Sequence, residues 1–168
     1  MLERAIREYQ HEDPVLFFLC GMANYSLGYL LNAEQLIEKA ISFNKLQECD
    51  LKLDQLAHTQ LGHVLAQQEK TTAAIEAYSR ALELDTQLLP VAVQIGKLYF
   101  QEGNNTLALE YFDYALEVAN ADLMSVRPET LADIYLQKVK VFESLGMLEH
   151  ARQEQKKVLN ADPTFAHR

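Results

Sequence analysis

The chain has 168 residues, 49% of them apolar, with only 6 glycines and 4 prolines. That is enough to bury one sizeable core, and too little turn chemistry for an all-β fold. A formal net charge of −9 and a pI of about 5.0 argue against nucleic acid and anionic membrane surfaces as partners, because binding phosphate needs clustered Lys and Arg.

Taken in order, residues 2–11 carry Leu2, Ala5, Ile6 and Tyr9 on one face, which predicts a short N-terminal helix over residues 1–12. The run Val15 to Ala23, VLFFLCGMA, is the most apolar stretch. It is too short to span a membrane, which takes about 18 residues. Acidic His11-Glu12-Asp13-Pro14 precedes it where a signal peptide would be basic, so it reads as a core helix with Cys20 as a buried free thiol. Cys20 and Cys49 form no C-x-x-C motif, and a reducing, cytoplasmic location is expected. From Leu61 to Asp85 two amphipathic helices fold back on each other: Leu61, Val64 and Leu65 recur at helical spacing, Glu69 to Thr72 break the pattern, and Ile75, Tyr78, Ala81 and Leu82 restart it.

That pattern recurs along the chain. With starts at Pro14, Gln55, Leu89 and Ala132, position 20 is Ala33, Ala74, Ala108 and Ala151. Position 8 is Gly21, Gly62, Gly96 and Val139, and position 24 is Ile37, Tyr78, Phe112 and Gln155. Position 27 is Ala40, Ala81, Ala115 and Val158. The fourth copy departs twice more, with Lys138 at an apolar position 7 and Gln155 at a normally aromatic one. The starts are 41, 34 and 43 residues apart, so two connectors are long. Asp50 is predicted to N-cap a lengthened helix after the first insert. Pro128 is predicted to open a helix after the second.

This chain resembles the tetratricopeptide repeat (TPR) family over about residues 14–165. The resemblance implies an all-α, right-handed superhelical solenoid of antiparallel helix pairs. Its copies are expected at 14–47, 55–88, 89–122 and 132–165, the last degenerate, after an N-terminal helix over 1–12 that is a half repeat or a cap. It implies a protein-interaction module whose concave face is lined by the first helix of each repeat. Both ends read as cut from a longer array: residues 2–11 stand where the second helix of an earlier repeat would stand, and no covering helix follows Asp162-Pro163. An apolar strip with Leu136, Leu159 or Phe165 is then expected to self-associate through the last repeat.

No catalytic constellation, phosphate loop or metal-ligand spacing stands out, so neither enzyme activity nor a cofactor nor a metal is expected. His58 and His63 are five apart, not an i, i+4 metal pair, and His58 reads as a packing residue. The family's carboxylate clamp would place Phe18, Met22, Gln60, Pro90 and Gln94, or Thr59, His63, Gln94, Asp133 and Gln137, at its gripping positions. Neither set has paired cations, which disfavours a chaperone-tail receptor. The groove instead carries Gln60, Gln94 and Gln137 at position 6 and His63, Lys97 and Lys140 at position 9. That row suits an extended peptide with some acidic side chains. Phe18, Leu19 and Met22 offer an alternative apolar groove unless residues 2–11 cover them. The rival readings are a structural or assembly segment of a larger TPR protein, and a type III secretion chaperone. The second of these rests on a loose likeness of FFLCGMANYSLG, Phe17 to Gly28, to the first helix of those chaperones.

Overall fold

A computed structural model describes residues 13–47, 50–121 and 126–164. The predicted helix over residues 1–12, Cys49 and Phe165 lie outside them. Eight helices and no strand occur among the described residues: α1 (Pro14–Ser26), α2 (Leu30–Leu46), α3 (Leu51–Gln67), α4 (Thr71–Leu84), α5 (Leu89–Gln101), α6 (Asn105–Ala121), α7 (Pro128–Ser144) and α8 (Leu148–Ala161). The chain forms two compact units, Met1–Thr86 and Gln87–Arg168.

In the first unit α1 packs on α2, α2 on α3, and α3 on α4. Asp13 caps α1, accepting from the Val15 amide at 2.8 Å, with Pro14 at the first helical position where its missing N–H costs nothing. Asp50 caps α3 as the sequence predicts, accepting from Lys52 N at 2.8 Å and Leu53 N at 3.1 Å. The connector before it is held by a contact the pattern does not foretell. Buried Asn44 donates to the Asp50 carbonyl at 2.9 Å and accepts from the Asp50 amide at 3.0 Å. Glu34 of α2 accepts from Lys70 and Gln68 at 2.8 Å each, tying the first helix pair to the turn of the second. Burial acts to raise the Glu34 carboxyl, but those hydrogen bonds and the Lys70 charge outweigh it and hold the group below its usual range.

In the second unit α5 packs on α6, α6 on α7, and α7 on α8. Pro128 opens α7 where the sequence places it. Lys138, the charged residue at an apolar position, is 7% exposed. Its Nζ donates to Asp113 Oδ1 of α6 at 2.6 Å and lies 3.6 Å from Glu154 Oε1 of α8. Glu154, itself buried, also accepts from Lys157 at 2.8 Å.

The helix pairs close on small residues. Ala33, Ala74, Ala108 and Ala151 are all buried, and Ile37, Tyr78 and Phe112 are fully so. A Cβ on Gly62 would lie 2.5 Å from the Tyr78 ring, and one on Gly96 2.7 Å from Phe112. The last pair solves the same packing differently: Val139 is buried in the glycine's place, and Gln155 stays exposed where the large side chain would be. Volume has moved from the second helix to the first.

All four pairs turn at the same repeat position, which holds a left-handed residue: Gly28 (φ +80°), Glu69 (φ +60°), Gly103 (φ +77°) and Gly146 (φ +70°). The next amide returns to a carbonyl five residues back in each, as from Lys70 N to Leu65 O at 3.0 Å and Met147 N to Phe142 O at 2.8 Å. This is the hydrogen bond that ends a helix on a left-handed residue.

Candidate functional site

In the second unit, α5 and α7 border a cleft of about 250 Å³. Helical spacing puts Pro90, Val93, Gln94 and Lys97 of α5 on the side facing it, and Thr130, Asp133 and Ile134 of α7 opposite. Leu89, Val93 and Ile134 are buried and make an apolar floor. Arg127, which precedes α7, completes the rim.

Charges across the cleft are partly committed. Lys97 Nζ donates to Asp133 Oδ2 at 3.2 Å, with 33% and 45% of the two side chains exposed. Gln137 donates to the other oxygen, Oδ1, at 3.1 Å. The Arg127 carbonyl accepts from the Thr130 amide at 2.9 Å, while its guanidinium makes no hydrogen bond or ion pair among the described residues and its side chain is exposed.

Within each unit the expected groove residues have different surroundings. Gln94 and Lys97 line the cleft together. Gln137 is 8% exposed and its amide donates to Asp133. Lys140 is exposed but lines a different recess, of about 540 Å³, with Leu136 and Val139 of α7 and Gln155, Val158 and Leu159 of α8. In the first unit, Gln60 is half-buried. His63 turns to its own repeat's second helix: its Nδ1 pairs with the Tyr78 hydroxyl at 2.7 Å, and the rings meet edge-on at 5.3 Å. Burial pushes the His63 pKa down and the Tyr78 pKa up, so both stay neutral. Phe18 and Met22 are half-buried and Leu19 is 56% exposed.

Sequence reasoning missed Arg127 and Asp133 as partners in the cleft. Arg127 lies in the long connector, outside the 34-residue pattern, and the offset of Asp133 marks it only as a clamp position. His58 is buried, with Nδ1 2.9 Å from the Asp54 carbonyl, a packing role as expected. Cys20 is a buried free thiol whose pKa is raised by burial. Among the described residues no group of three or more His, Cys, Asp or Glu is placed to hold a metal ion. None of their helices is long and apolar enough to cross a membrane.

The fold is shared by solved structures at low sequence identity. MamA is 18% identical with a TM-score of 0.79, over 99% of this chain and 88% of that one. BtubC from P. vanneervenii is 18% identical with a TM-score of 0.82, over 98% of this chain and 70% of that one. YrrB, a TPR protein with an unusual peptide-binding site, is 20% identical with a TM-score of 0.71, over 99% and 77%. No curated protein matches the chain by sequence. The tetratricopeptide repeat profile matches residues 56–88, 89–122 and 132–165, more than half of the length. With its antiparallel helix pairs, small residues at the crossings and that profile, the chain belongs to the tetratricopeptide repeat family.

Proposed function

We propose that the chain is a non-enzymatic interaction module that binds an extended segment of a partner protein against the first helices of its repeats. The observation that carries this reading is the cleft between α5 and α7, where Gln94 and Lys97 converge over an apolar floor. An amide offers both donor and acceptor to a peptide backbone whatever its side chains. The peptide-binding site of YrrB, a protein of the same fold, makes a peptide the first ligand to test. The proposed setting is the cytoplasm, in keeping with the free thiol of Cys20.

The test is affinity purification from a lysate with the wild type and with Gln94→Ala combined with Lys97→Ala. Each solvated contact contributes about 0.5–1.5 kcal/mol, so the double variant should lose most of a micromolar partner while keeping its melting temperature. Undiminished capture by the double variant at low salt would move the site elsewhere on the chain.

A second reading, assembly through the last repeat, is favoured by Leu159, 42% exposed beside the recess between α7 and α8. It predicts a concentration-dependent dimer by sedimentation that Leu159→Glu abolishes; a monomer at all concentrations would dismiss it.

A further inference from the structure

We infer that the cleft between α5 and α7 is a carboxylate subsite that takes one Asp or Glu side chain of the bound segment, with Arg127 as its principal donor. The inference rests on the proposed peptide-binding role and adds the chemistry of the ligand. Three features on the same few residues support it.

The first is charge. The chain carries a net −9, yet the cleft holds two cations and one carboxylate. Asp133 is answered at both oxygens, by Lys97 at 3.2 Å and by Gln137 at 3.1 Å. The remaining positive charge is the Arg127 guanidinium, without an ion pair among the described residues. An acidic protein that presents a local positive cleft offers a complementary site to an acidic ligand.

The second is size and lining. About 250 Å³ holds a single side chain rather than a large ligand. Val93 and Ile134, both buried, can cover the methylene groups of a Glu, while the carboxylate meets Arg127 and the Thr130 hydroxyl at the rim. A guanidinium presents a planar fork of donors that matches a carboxylate in two parallel hydrogen bonds, which an ammonium does not.

The third is the Lys97–Asp133 pair. Lys97 is 33% exposed and held at 3.2 Å, a long contact for a charged pair, so it can turn toward an arriving carboxylate while Gln137 keeps its bond to Asp133. Lys97 then adds a second cation to the ligand at the cost of its contact with Asp133, which Gln137 continues to hold at the other oxygen.

The test uses two pools of blocked eight-residue peptides, random except for a fixed central Glu in one and a fixed central Gln in the other. Binding is read by titration into the full chain, following the amide resonances of Val93, Gln94 and Ile134. The Glu pool should bind about three- to tenfold more tightly than the Gln pool at low salt, the range for a solvated Arg–carboxylate contact, and the gap should close at high salt. Arg127→Gln should erase the preference, and Arg127→Lys should keep only part of it. Arg127 is exposed and makes no side-chain cap, so both variants keep the fold, as circular dichroism would verify. Equal binding of the two pools, with Gln94→Ala still weakening both, would overturn the carboxylate subsite and leave the groove reading standing. If neither pool moves these resonances, both readings are overturned.

Discussion

The Tyr78 ring lies against the face of Gly62, where an added Cβ would stand 2.5 Å from two ring carbons. The contact lets α3 and α4 approach as closely as their backbones permit. A methyl group there forces either the ring off its rotamer or the helices apart. Gly62→Ala should therefore destabilise the first unit by about 1–3 kcal/mol, although alanine is the better helix former. Urea unfolding followed by Tyr fluorescence would measure it, and an unchanged midpoint would contradict the packing.

Glu69 occupies the left-handed turn position that is glycine in the other three helix pairs. A side chain in that region costs about 1–2 kcal/mol, and the side chain of Glu69 is exposed. Glu69→Gly should therefore stabilise the protein by about 0.5–1 kcal/mol, less than the full strain because glycine gains freedom in the unfolded chain. A melting temperature that falls would show that Glu69 makes a compensating contact.

The His63 pKa is depressed in the folded protein by burial, below the ordinary value of 6.5. The unfolded chain therefore takes up the proton first as pH falls. The stability this neutral imidazole contributes is present above pH 6.5 and is lost as pH drops toward the folded pKa. His63→Gln should flatten the decline of stability between about pH 7 and pH 5, read as the denaturation midpoint against pH. A parallel decline in both proteins would assign it to other groups.

Lys138 sits buried between Asp113 and Glu154, and its removal leaves the buried Glu154 carboxylate with Lys157 alone. Lys138→Met should cost about 1–3 kcal/mol, short of the full penalty for a broken buried pair because Asp113 and Lys157 reach solvent. Lys138→Met with Glu154→Leu should recover most of that loss, since two apolar side chains can fill the same space. Hydrogen exchange in α7 and α8 separates the two outcomes. If the double variant is the less stable, the ion pairs contribute net stability.

Helix identity, the cap at Asp50, the helix start at Pro128, and the burial of Ala74 and Ala108 follow from local spacing and small-residue offsets, because a helix face and its crossing point are one-dimensional properties of a sequence. The left-handed turn position was equally readable, as Gly28, Gly103 and Gly146 share one offset, yet Glu69 in the second copy masks the rule.

The site was legible only in part. An offset states which helix face a residue occupies but not what stands opposite. Gln137 and Lys140 share their offsets with Gln94 and Lys97, yet Asp133 claims the amide of Gln137 and α8 gives Lys140 a different recess. His63 shares the lysines' offset, but Tyr78 draws its ring back into the repeat. Arg127 lies in a connector outside the period altogether, and only the folding of α7 against α5 brings it to the cleft. The amino-acid order by itself determined the repeat, its close crossings and its helix ends, since these depend on neighbours within a few turns. Tertiary structure alone decided which polar groups stay available to a ligand, because hydrogen bonds and ion pairs across helices are settled by what packing brings within about 3 Å.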